Sequence, residues 1–141
     1  MAYTNALGII EKLRDLLRTP VLAQTPTMTL NLDEPINLVF SDLPMLSTYP
    51  VREDFVLEES TNNQNKKHLT VRIEVRVKGG PSSSICTPLI NTIADTIRAN
   101  PRLDGLATYV EIQSIQWASD TTSSGIVSGA ALDVMVQYLI A

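Results

Sequence analysis

The stretch HLTVRIEVRVKGG, residues 68 to 80, alternates so strictly that its two faces can be read off directly. Leu69, Val71, Ile73, Val75 and Val77 share one side, and Thr70, Arg72, Glu74, Arg76 and Lys78 share the other. A period of two is that of a β-strand with one buried face. Gly79, Gly80 and Pro81 then supply the break that ends it. A strand with one dry face needs a second layer against that face, so the rest of the chain must provide the cover.

Two segments carry the helical period that such a cover requires. In residues 4 to about 18, Leu7, Ile10, Leu13 and Leu17 form a stripe that Ile9 and Leu16 widen, with Glu11, Lys12, Asp15 and Arg18 opposite. Thr4 or Asn5 can cap this helix, and Pro20 is expected to stop it. The second helix is expected over 85–99, capped by Ser82 to Ser84. Ile85, Leu89, Ile93 and Ile97 lie on one row, with Ile90 and Ala94 beside it. Pro88 is tolerable there because first-turn N–H groups lack intrahelical partners anyway. Asn100-Pro101 closes the helix.

The remaining segments read mainly as strands. TMTLNL (27–32) alternates; after Pro35, Ile36, Leu38 and Phe40 alternate again in a short piece. SDLPMLSTYP (41–50), with two prolines, reads as an irregular connector, and VREDFVLE (51–58) as a strand. Residues 60–67, STNNQNKK, contain no apolar side chain and read as an exposed hairpin tip or mobile loop. In 107–117, Val110 and Ile112 share one parity while Ile115 and Trp117 fall on the other, which calls for a β-bulge near Gln113 and Ser114. Residues 119–129 read as a flexible turn. In the final strand, ALDVMVQYLI, Leu132, Val134, Val136, Tyr138 and Ile140 share a parity, and Met135 and Leu139 make the second face partly apolar. A strand so apolar is expected to be central or covered on both sides. The sum is a single α+β domain over 1–141, a mostly antiparallel sheet with two main helices packed on one face.

Composition narrows function mainly by exclusion. The 141 residues are 44% hydrophobic and 18% charged, with a net charge of −4. Tight non-specific nucleic-acid binding needs a basic surface, which this balance does not supply. The single cysteine, Cys86, forms no internal disulfide. Charged Glu11, Lys12, Arg14 and Asp15 break the first apolar stretch, so the N-terminus reads as a helix and not as a secretory leader. No run approaches the roughly 20 apolar residues of a membrane span. A protein kept inside a cell is expected.

Catalytic residue types are sparse. His68 is the only histidine, follows Lys66-Lys67, and has no neighbour at metal-ligand spacing, so a solvated residue is the plain reading. Cys86, in a helix's first turn, could be a low-pKa thiol, but it flanks an apolar row and has no base near it in sequence. KGGPSSS (78–84) resembles a phosphate loop only loosely: the spacing is not that of a P-loop and Pro81 removes a donor, so a strand-to-helix turn is the simpler reading. Glu53, Asp54, Glu58 and Glu59 alternate between faces of an extended segment and do not converge on a metal. No catalytic, cofactor or metal site is assigned, and an enzyme is not expected. The polar face of the opening strand is either a wet sheet surface or a subunit contact, for which arginine and mixed charge are suited.

In FSDLPMLSTYP (40–50), the polar loop, HLTVRIEVRVKG, the helix ICTPLINTIADTIRANPRLDGL (85–106) and the terminal ALDVMVQYLI, the chain resembles the tail terminator and tail completion proteins of long-tailed bacteriophages. The resemblance implies a virion protein, assembled in the host cytoplasm, that forms a ring, commonly a hexamer. Such a ring caps the head-proximal end of the tail tube, ends tube polymerisation and joins the tail to the head or neck. The implied partners are further copies of the chain, the tail tube protein and the head or neck connector, with DNA passing through without specific binding. Arg72, Glu74 and Arg76, with Lys66 and Lys67 in the loop, are the expected contact residues. Related minor tail or head–tail connector proteins share the pattern. A small ligand-binding or regulatory α+β domain, with a cleft beside Gly79-Gly80, is the alternative outside that class.

Overall fold

The alternating stretch is the middle strand of the sheet. In the computed structural model, which describes residues 6–32, 43–55 and 65–140, chain order is α1 (Ala6–Gln24), β1 (Thr29–Asn31), β2 (Met45–Phe55), β3 (Asn65–Lys78), α2 (Ser82–Ile85), α3 (Thr87–Arg98), a 3-10 turn (Leu103–Gly105), β4 (Tyr109–Thr122) and β5 (Gly125–Ile140). The strands lie in the order β1-β2-β3-β5-β4. Only the three-residue β1–β2 pairing is parallel; every other neighbour is antiparallel. The fold is therefore α+β, as the periodicities require.

One core lies between the sheet and the helices. Leu69, Val71, Ile73, Val75 and Val77 of β3 are buried together with Leu132, Val134 and Val136 of β5. Ile9, Ile10, Leu13 and Leu17 of α1 and Leu89, Ile90, Ile93 and Ile97 of α3 pack into the same cluster. Each such side chain, fully buried, contributes about 1.5–3 kcal/mol. The final strand is central, between β3 and β4. The phase shift in β4 is a bulge where anticipated: Ile112 pairs with Val134 and Ser114 with Asp133, leaving Gln113 as the extra residue.

Several boundaries differ from the periodicity reading. Pro20 does not stop α1, which continues to Gln24. An interior proline forfeits a hydrogen bond and costs roughly 3 kcal/mol. Val21, four residues beyond Leu17 on the same stripe, is fully buried, and Leu22 packs partly against the core. Their burial offsets most of that cost.

The connector 41–50 contains the first half of β2. Leu46 pairs with Val75 and Thr48 with Ile73, and both are buried. Pro50 is accommodated because β1 covers β2 only over Met45–Ser47, and because a register shift follows between Pro50 and Arg52.

Residues 119–129 are largely strand, since β4 runs to Thr122 and β5 starts at Gly125, and only Ser123 and Ser124 remain as the turn. The second helix is split at Cys86. Ser82 to Ser84 lie inside the short α2, whose N-cap is Pro81, and no side chain caps it. Lys66 and Lys67 belong to β3 and not to a loop, because their backbone continues the ladder to Leu139 and Tyr138. Ile36, Leu38 and Phe40, residues 56–64, and the Thr4 and Asn5 caps lie outside the described residues. No helix among the described residues is long and apolar enough to cross a membrane.

Candidate assembly surface

Strand parity sorts the charged residues onto two faces. Arg72, Glu74 and Arg76 lie on the sheet face opposite the helices, because Val71, Ile73, Val75 and Val77 take the core side. Lys67 has core parity and pairs with Tyr138 at the end of the strand. It therefore does not join the arginines. Lys66 has the parity of Arg72.

Arg72, Glu74 and Arg76 are already matched within the chain. Arg72 donates from Nε and Nη2 to the two carboxylate oxygens of Asp133, at 2.8 and 3.1 Å. The bond to Asp133, with the attraction of its charge, holds the Arg72 guanidinium above the usual arginine range, against the opposing pull of desolvation. Glu74 accepts from the Tyr49 hydroxyl at 2.8 Å on one oxygen and from Arg76 Nε at 2.5 Å on the other. Burial, and then the bond to Glu74, push the Tyr49 phenol up to about 12. The register explains the pairing, since Arg72 sits opposite Asp133 on β5 and opposite Tyr49 on β2. Sequence reading placed three of these residues on one face but had no signal for Asp133 or Tyr49, which come from distant segments.

Beside the ladder a groove of about 660 Å³ opens, walled by Glu74, Arg76 and Gln116 and bordered by Gly129 and Ala131. Gly129 lies opposite Arg76 and Ala131 opposite Glu74. Small side chains on β5 thus leave the space that their longer neighbours enclose. This is not the cleft expected beside Gly79-Gly80. There, a side chain on Gly80 would already meet Ile126 and Ser128, at 3.0 and 3.2 Å.

The chemical candidates find structural partners. His68 Nε2 lies 2.9 Å from Gln137 Oε1, with its ring edge-on to Tyr109 at 6.5 Å between centroids. Cys86 is fully buried at the α2–α3 junction, where burial pushes its thiol up. In the Gly79–Ser84 turn, the Gly79 N–H bonds Ile126 O, Ser82 N–H bonds Ser119 Oγ, and Ser84 N–H bonds Pro81 O. Those donors are turned to the chain itself and not to a phosphate. Glu53 pairs with Lys67 at 2.7 Å and Asp54 with Arg52 at 2.9 Å; Glu58 and Glu59 lie outside the described residues. Among the described residues no group of three or more His, Cys, Asp or Glu could hold a metal ion.

At the sheet's margins the backbone is open. Beyond β4, and beyond β2 from Thr48 onward, no strand pairs among the described residues. β4 contains neither Lys, Arg nor Pro, the residues with which solitary edge strands are commonly blunted.

No protein-family model matches the chain, and no curated protein matches it. Among solved structures, a chain from the virion of a native gene transfer agent particle aligns with a TM-score of 0.50 and 9% identity. The alignment covers 95% of this chain and 98% of that one, so the two share a fold over nearly their whole lengths.

Proposed function

We propose that this chain is a structural protein of a phage-like virion. Within that class it is a tail terminator: a ring subunit that occupies the last layer of the tail tube, stops its growth and presents the opposite end to the head or neck. The observation that carries the reading is the end-to-end likeness to a chain of a gene transfer agent virion, in which neither chain leaves a substantial part unmatched. The segments that resemble tail terminators support the finer assignment. So does the open strand edge at each side of the sheet, since a ring subunit needs two different contact surfaces. The matched polar residues are structural by this reading, and the chain makes and breaks no bond.

The test is native mass by light scattering, followed by negative-stain microscopy, alone and with purified tail tubes. The expected result is an annulus of several 15.5 kDa subunits and tubes capped at one end only. A chain that binds no tube end and prevents no tube elongation overturns the terminator assignment. Binding to an isolated head connector, without binding to tubes, would move the protein to the neck.

A further inference from the structure

We infer that the subunits of the ring join edge to edge, β4 of one copy beside β2 of the next, with Glu111 of the first facing Arg52 of the second. This rests on the ring reading above and names its contact.

Strand direction comes first. β2 runs antiparallel to β3, β3 to β5, and β5 to β4. β4 therefore points the same way as β3 and opposite to β2. A second copy set alongside in the same orientation, as rotation in a ring requires, brings β4 against β2 in antiparallel sense, the commoner pairing of strands. No inversion of either subunit is needed.

Register then picks out the residues. Arg52 lies opposite Thr70, Thr70 opposite Met135, and Met135 opposite Glu111. One cross-strand row thus ends in a basic side chain at one margin and an acidic one at the other. A neighbour at the same height continues the row and places Glu111 beside Arg52 on the same sheet face. Both are available: the Arg52 side chain is 71% exposed and, among the described residues, pairs with the half-exposed Asp54, and Glu111 is exposed.

The length matches as well. From Thr48 to Phe55, β2 has no partner on its outer side among the described residues, and the rows at that height reach β4 from Tyr109 to about Ile115. Pro50 withholds one donor and each edge carries a bulge, so main-chain bonds form on either side of the interruption. β4 lacks the Lys, Arg or Pro that would blunt it. A neighbouring copy would supply the protection.

The test is a cysteine pair, Arg52→Cys with Glu111→Cys, in the full chain. Within one subunit these positions are three strand spacings apart, about 14 Å, too far for a disulfide. The buried Cys86 stays out of the reaction. Mild oxidation should give a ladder of linked subunits on a denaturing gel, ending at the ring number, with each single-cysteine variant giving none. Charge exchange gives a second readout. Arg52→Glu should weaken association roughly tenfold, and adding Glu111→Arg should restore it to within about threefold. Rings visible by microscopy that give no ladder overturn the edge contact and leave the ring reading standing. A chain that forms neither rings nor ladder, with and without tail tubes, overturns both.

Discussion

Arg72 and Asp133 test most directly whether the charged face is held together internally. They bridge the two central strands through two hydrogen bonds of 2.8 and 3.1 Å, with side chains 32% and 18% exposed. A fully exposed pair contributes ~0.2–1 kcal/mol, whereas removing one partner of a buried pair costs ~3–5 kcal/mol. Partial exposure with two-pronged geometry places Arg72→Met between these limits, at about 2 kcal/mol. Asp133→Asn should cost a similar amount, since it leaves the guanidinium without its countercharge. The double variant should lose less than the sum, with a coupling of about 1–2 kcal/mol. The measurement is urea unfolding followed by circular dichroism, at a protein concentration where native mass is constant, because association itself adds stability. In 1 M salt, where the screening length is about 3 Å, most of the coupling should survive at this separation. A coupling below about 0.5 kcal/mol would refute the reasoning. The arginines would then be surface charges held by solvent and free for a partner.

Three further outcomes follow from the packing. Val21→Ala should destabilise the chain by about 2 kcal/mol, because Val21 is fully buried beyond Pro20; a loss under about 0.5 kcal/mol in urea unfolding would mean that the last turn of α1 is not docked. Gly79→Ala should cost about 1–2 kcal/mol, since Gly79 has φ +98° and a side chain there would lie 3.2 Å from Ile85; an unchanged melting temperature would contradict it. The Tyr49 phenol titrates near 10 when unfolded and at about 12 when folded. The folded state therefore holds the proton more tightly, and this stability is fully present below pH 10 and lost as pH rises to about 12. Unfolding midpoints should fall over that window, and less steeply in Tyr49→Phe; equal slopes would remove Tyr49 as the cause.

The legible part of this protein was whatever repeats at short range. The period of two in residues 69–77 defines a strand and its buried face because successive side chains in extended chain must alternate, whatever surrounds them. The helical rows of α1 and α3 and the bulge at Gln113 were equally local, since a change of parity within one strand can only be absorbed by an extra residue. Pro20 and Pro50 misled because their local penalties are met by tertiary context: burial of Val21 beyond Pro20, and for Pro50 an outer side that β1 does not cover, next to a register shift. Lys66 and Lys67 look like loop residues until β5 pairs with them.

What the sequence by itself determined was the set of elements, the side of each that is buried, and the scarcity of catalytic residue types. What only the tertiary structure decided was adjacency. Strand order brings Asp133 and Tyr49 to Arg72, moves Lys67 to the other face, and leaves β2 and β4 as the margins of the sheet. Pairing between strands sixty residues apart depends on the whole set of hydrogen-bonded registers at once, and no short-range period encodes it.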